Sequence, residues 1–141
     1  MRKLNLIVVF NKELDKGLFC IRSKEPYKGL YNFVGGKAEP GETELEAAYR
    51  ELFEETGISK DDIELDYFMD LTYFKYENHI SVFYGILKHD VTLVEEKNKL
   101  EWVNLDDNLL DCSKFAGNYN IPHIVRQIKV YLANGTGIDK Y

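Results

Sequence analysis

Residues Gly36 to Ile58 read GKAEPGETELEAAYRELFEETGI, and this stretch decides the fold class. Pro40-Gly41 has the residue types of a type II turn, in which proline presets φ and glycine accepts φ > 0. Thr43 followed by Glu46 fits a capping box, and Gly57 stands where a left-handed C-terminal cap is needed. The spacing predicts a helix starting near Glu44 and ending before Gly57. On that helix Glu51, Glu54 and Glu55 fall within about 100° of one another. Leu45, Ala48, Tyr49 and Leu52 form the neighbouring stripe, expected to pack on a sheet.

Three carboxylates on one face repel, at a few tenths of a kcal/mol per i,i+4 pair, and a cation relieves that cost. Hard oxygen ligands grouped this way suit Mg²⁺ or Mn²⁺. Arg50 can pair with Glu54 at i+4 or hold a neighbouring carboxylate, and Gly35-Gly36 lets backbone approach the same place. Most glutamate runs are solvated helix faces, so three glutamates alone do not establish a site. The complete pattern does more. G-x₅-E-x₇-R-E-U-x-E-E-x-G-U (U aliphatic) is met at Gly36, Glu42, Arg50, Glu51, Leu52, Glu54, Glu55, Gly57 and Ile58. A chance match in a chain this long is on the order of one in a million or rarer.

Working outward, Leu4 to Phe10 and Gly17 to Arg22 are apolar runs that predict a hairpin, and Ser23 to Tyr31 a loop. Asn32-Phe33-Val34 predicts a short strand running into Gly35-Gly36. Ile63 to Tyr76 and His79 to Lys88 predict a second hairpin turning at Glu77-Asn78, and Leu100 to Leu105 a further strand. Asn120 to Ala133 carries Ile121, Ile124, Val125, Ile128, Tyr131 and Leu132 at helical spacing. Strands, helix, strands, helix make a mixed sheet covered by helices, of the α/β or α+β kind, in a single domain spanning 1–141.

The 141 residues carry 18 Lys and Arg against 24 Asp and Glu, a net charge of −6. Such an acidic surface argues against a nucleic-acid duplex as partner. The apolar run after Met1-Arg2-Lys3 is too short to span a bilayer and lacks a cleavage site, so no membrane role and a cytoplasmic location are expected. Cys20 and Cys112 form no C-x-x-C pair, which excludes a redox or zinc motif and leaves buried or half-buried thiols.

The 36–58 pattern is the Nudix box, and the chain resembles a Nudix hydrolase, whose fold is a mixed β-sheet sandwiched between α-helices. The resemblance implies hydrolysis of a nucleoside diphosphate linked to another group X, by water attack on phosphorus, with Mg²⁺ and with Mn²⁺ as a substitute. It implies metal on Glu51, Glu54, Glu55 and the Gly35 carbonyl, with Arg50 orienting Glu51 and Glu42 holding the loop or a metal. The general base is either a box glutamate, Glu51 or Glu54 among them, or Glu96, five residues before Glu101 of Glu101-Trp102 as in MutT-like members.

For the substrate, Tyr73-Phe74-Lys75 stands where ADP-ribose hydrolases carry a proline, and the coenzyme A signature is missing. Tyr76 keeps dinucleoside-polyphosphate hydrolases as an alternative. The MutT-like nucleoside triphosphatases fit better, through Leu18 to Arg22, Phe33 to Lys37, and Phe115 followed by Asn120-Ile121-Pro122. Arg22, Lys37 and Asn120 are therefore expected to bind a purine nucleoside triphosphate, cut to monophosphate and pyrophosphate. Ser23 replaces a second arginine of those proteins. Asn120 has the rival reading of a helix N-cap, and Trp102 reads as core. His79, His89 and His123 sit singly at strand ends and on a helix surface. A non-catalytic nucleotide-sensing module is the rival class, and its sign would be lost box carboxylates; none is lost. The expected partner is a small nucleotide, and the expected state a monomer or homodimer.

Overall fold

Apolar side chains alternate between two faces along β1 (Arg2–Phe10). Leu6, Val8 and Phe10 belong to one core cluster, and Ile7 and Val9 to the other. A strand buried on both faces needs a cover on each side, and two helices supply it: α1 (Glu44–Thr56) and α2 (Asn120–Ala133). The computed structural model describes residues 1–106, 108–117 and 120–134.

The other strands are β2 (Lys16–Ile21), β3 (Tyr31–Lys37), β4 (Asp66–Tyr73), β5 (Asn78–Ile86) and β6 (Leu100–Asn104). They form a six-stranded mixed sheet in the order β4-β5-β1-β3-β2-β6. β1 lies parallel to β5 along its whole length and antiparallel to β3 over Leu4–Ile7.

The expected first hairpin is present but splayed. β1 and β2 pair only at Phe10↔Gly17, where Asn11 Oδ1 accepts from the Asp15 and Lys16 N–H groups. Beyond that point β3 enters between them, pairing with β2 over Phe19–Ile21. The second hairpin also differs in detail from the expectation. A bulge interrupts β4 between Tyr67 and Met69, a 3₁₀ turn occupies Phe74–Tyr76, and Glu77 adopts φ 54°. Ile63, read as the start of that strand, makes a single bridge to Leu87. The last strand and the second helix fall where the sequence places them.

α1 is bounded as its punctuation requires. Thr43 and Glu46 make both halves of the capping box, and Gly57 at φ 79° donates its N–H to Phe53 O. Its buried face is Ala47, Ala48, Glu51, Leu52, Glu55 and Thr56. Leu45, expected on that face, is 42% exposed, because packing on the sheet begins one turn into the helix at Ala47 and Ala48. Tyr49 packs against the same cluster and accepts the Leu65 N–H at 2.9 Å. Each fully buried aliphatic such as Leu52 or Ile58 contributes about 1.5–3 kcal/mol. On the other face Ile121, Ile124, Val125 and Ile128 seat α2 against Phe10, Phe19 and Phe33.

Cys20 is buried as expected, whereas Cys112 is exposed, because its loop enters the core through Leu109 and Phe115 instead. No helix among the described residues is long and apolar enough to cross a membrane.

Candidate active site

Gly35 and Gly36 bring β3 into contact with α1. A Cβ on Gly36 would lie 2.2 Å from Glu51 Cδ, and one on Gly35 would lie 2.1 Å from the Asn5 carbonyl oxygen. Only glycine permits both approaches. The Gly35 N–H donates to Glu55 Oε1 at 3.3 Å and the Gly36 N–H to Asn5 Oδ1 at 3.0 Å. Glu51 and Glu55 are 8% and 7% exposed. Burial pushes the Glu55 carboxyl up to about 7, against the opposing pull of the Gly35 N–H, and the Glu51 charge adds to the rise.

Arg50 organises the rest of the acidic face. Its Nε donates to Glu42 Oε2 at 2.6 Å and one terminal nitrogen to Glu42 Oε1 at 2.9 Å, a bidentate pair. That nitrogen also donates to the Lys37 carbonyl at 3.0 Å, and the other reaches Glu51 at 3.0 Å and Glu54 at 3.2 Å. Glu42 is pulled down to about 2 by Arg50 and by the Glu39 N–H it accepts. That N–H belongs to the turn closed by Glu42 N–H to Glu39 O at 3.1 Å, with Gly41 at φ 86°. Arg50 thus ties the loop to the helix through Glu42.

Among the described residues, no three His, Cys, Asp or Glu side chains are already gathered around one point. Arg50 draws Glu42, Glu51 and Glu54 toward itself, while Glu55 leans on Gly35. The donor set nevertheless fits a hard divalent cation. Two buried carboxylates stand side by side, and burial holds Glu55 up at about 7 even against the pull of the Gly35 N–H and of the Lys97 and Arg22 charges, a cost that a cation bound between them would relieve.

This floor opens into a cleft of about 1180 Å³. Among the described residues, Arg2, Arg22, Lys24, Lys37 and Lys97 line it against a single carboxylate, Glu55. Five cations around one cleft of an acidic chain concentrate positive potential where a polyphosphate would lie. Phe33, Tyr73 and Tyr76 add aromatic surface, and Cys20, whose thiol burial and Glu55 push up to about 11, lies at the floor.

The structure brings most of the sequence-selected residues together. Glu55 meets Gly35 at the floor and Glu51 meets Gly36 beside it, Glu54 is the solvent-facing member of the helix trio, and Glu42 sits beyond Arg50. Arg22 and Lys37 line the cleft, with Arg22 Nε held by the Pro26 carbonyl at 2.6 Å. Asn120 lines it from the first turn of α2 and donates its amide to the Tyr73 hydroxyl. Glu96 is exposed and is not part of the cleft wall, although Lys97 and Asn98 are. Trp102 is half-buried against the α1-side cluster. His79 meets Thr72, His89 meets Asp62, and His123 meets Gln127.

Sequence reasoning missed Asn5, Tyr73 and Lys97. Asn5 carried a signal, being a polar residue inside the apolar run Leu4 to Phe10. Lys97, one lysine of a charged loop, carried none.

The NUDIX domain family model matches residues 2–123. The NAD-capped RNA hydrolase NPY1 of Saccharomyces cerevisiae is 32% identical over 131 residues, 83% of this chain but 32% of that protein. The chain thus spans about a third of that relative's length. Two solved structures share the fold. A C. elegans Ap4A hydrolase has a TM-score of 0.72 and 23% identity, over 93% of this chain and 98% of its own. A MutT from work on Aliivibrio salmonicida and Vibrio cholerae has a TM-score of 0.65 and 22% identity, over 90% and 95%. Members of the matched family are generally dependent on a divalent metal. With its box complete, its helix capped at both ends and the family model matched over residues 2–123, the chain belongs to the NUDIX domain family.

Proposed function

We propose that this chain is a pyrophosphohydrolase that cleaves a nucleoside diphosphate linked to a further group, with a purine nucleoside triphosphate as preferred substrate and monophosphate plus pyrophosphate as products. The observation that carries the reading is the junction of two features in one cleft. Glu55, with Glu51 beside it against two glycines, faces a wall of five cations.

Glu51, Glu54, Glu55 and the Gly35 carbonyl would hold Mg²⁺, or Mn²⁺ in its place, with Glu42 behind them. The bound cation would neutralise phosphate charge and supply an acidified water. Arg50 donates to both Glu51 and Glu54 from one terminal nitrogen and so holds the two carboxylates toward the same place. Arg22 and Lys37 would bind phosphate oxygens, because phosphoryl transfer asks mainly for charge compensation and alignment. Asn120 would read the purine edge, since a carboxamide offers donor and acceptor together. A box glutamate, Glu51 or Glu54, stands closer to this floor than Glu96 and is the better candidate for general base.

Tyr76 supports a second reading. It is 63% exposed and lines the same cleft as Tyr73, so a second base of a dinucleoside polyphosphate would find an aromatic surface there. Incubating the protein and Mg²⁺ with mononucleotides, dinucleoside polyphosphates and capped RNA, and resolving products chromatographically, tests both. Highest kcat/KM on a purine triphosphate, with pyrophosphate released, is expected. A dinucleotide processed far faster than any mononucleotide favours the second reading, and no hydrolysis of any of them contradicts both.

A further inference from the structure

One wall of the cleft is made by two segments that lie far apart in sequence. Residues Arg22 to Tyr27 follow β2, and Lys97 and Asn98 precede β6, its neighbour in the sheet. Ser23 Oγ donates to Asn98 Oδ1 at 2.8 Å across 75 residues of chain. The Ile21 N–H donates to the Lys99 carbonyl at 2.9 Å just below. The two segments are therefore clasped, and each brings positive charge to the cleft: Arg22 and Lys24 from one, Lys97 from the other.

Lys97 and Arg22 stand near enough to Glu55 for their charges to act on its carboxylate. They therefore flank the floor where Gly35, Gly36 and Glu55 meet. The Arg22 guanidinium is tethered through Nε to Pro26, which leaves its other N–H groups for a ligand. Lys97 is exposed and has no hydrogen-bond partner among the described residues, so its ammonium is free to move onto an anion.

We propose that Lys97 is a substrate-binding residue that takes a phosphate oxygen of the nucleotide, acting with Arg22 beside Glu55, and that the Ser23–Asn98 clasp sets its position. The inference rests on reading the cleft as a nucleotide site. Its chemistry is charge matching from two chain segments held side by side. Arginine presents a fixed fork, and lysine a mobile point charge that adapts to the phosphate left uncovered. Without Lys97, a phosphate beside Glu55 would meet the Arg22 and Lys24 charges of one clasped segment and none from the other.

The test is calorimetric binding of the α,β-methylene analogue of ATP in the presence of Mg²⁺, with adenosine as the phosphate-free control. Lys97→Gln is expected to weaken the analogue at least tenfold, Lys97→Arg less than threefold, and Asn98→Ala, which opens the clasp, by an intermediate factor. Adenosine should bind all four proteins alike. An unchanged analogue affinity in Lys97→Gln overturns the inference, as does an equal loss of adenosine binding. Hydrolysis is scored separately. A wild type that binds the analogue through Lys97 but cleaves no nucleotide contradicts the enzymatic reading and leaves this one standing.

Discussion

The carboxylate of Glu51 lies so close to the backbone of Gly36 that a Cβ at residue 36 would sit 2.2 Å from Glu51 Cδ. The helix and β3 therefore share one site at this point, and the first consequence concerns the glycine. Gly36→Ala must push Glu51 away from the floor, since the contact is with a carboxyl that Arg50 holds. A misplacement of this kind costs on the order of a hundredfold in rate. The expected outcome is a fall of at least tenfold in kcat with melting temperature shifted only modestly; an unchanged kcat would show that Glu51 has room to move.

Arg50→Gln should separate the loop from the helix. It leaves Glu42, Glu51 and Glu54 without their common partner, and the like charges then repel. Activity should fall at least tenfold, with KM for the cation rising more than KM for the nucleotide. Arg50→Lys, which keeps the charge but not the fork, should recover little of it. Full recovery by lysine would argue that only charge matters there.

Glu55 gives a pH dependence of stability in the metal-free protein. Its carboxyl is raised from 4.5 to about 7 by burial, so the proton favours the folded state. That stabilisation is fully present below about pH 4.5 and is lost as pH rises through about 7, a change of a few kcal/mol at most. With chelator present, the melting temperature of wild type should fall relative to Glu55→Gln across this window. A difference that stays constant from pH 4.5 to 7 would contradict the buried carboxyl.

Asn120→Ala removes the amide that meets Tyr73. Loss of a base contact typically costs about 0.5–1.5 kcal/mol, and about 1–3 when a buried partner is stranded. The kcat/KM for purine substrates should therefore drop about tenfold to a hundredfold, with pyrimidine substrates and metal dependence nearly unchanged. If Asn120 only caps its helix, the melting temperature falls and the purine-to-pyrimidine ratio stays as it was.

Legibility followed the range of the interactions. α1 and its glycine boundaries were readable because caps and turns are set by residues within four positions of each other, as at Thr43 and Glu46 or Pro40 and Gly41. The carboxylate face followed from helical geometry alone. The splaying of β1 from β2 was not readable, because it depends on β3 arriving from further along the chain. Nor was the exposure of Leu45, which depends on where the sheet begins under the helix. The Ser23–Asn98 clasp joins residues 75 positions apart, and with it Lys97 reaches a cleft to which no local pattern assigns it.

If the acidic face of α1 and the glycines of β3 form a cation-dependent hydrolytic centre, the kcat of Glu51→Gln at saturating Mg²⁺ must show it. The substitution preserves volume and removes one charge at the floor. The account expects kcat to fall at least about a hundredfold, the usual scale for lost transition-state charge stabilisation, with the melting temperature retained and wild-type turnover abolished by chelation. A Glu51→Gln protein with near-normal kcat, or wild-type turnover that survives exhaustive chelation, would contradict it.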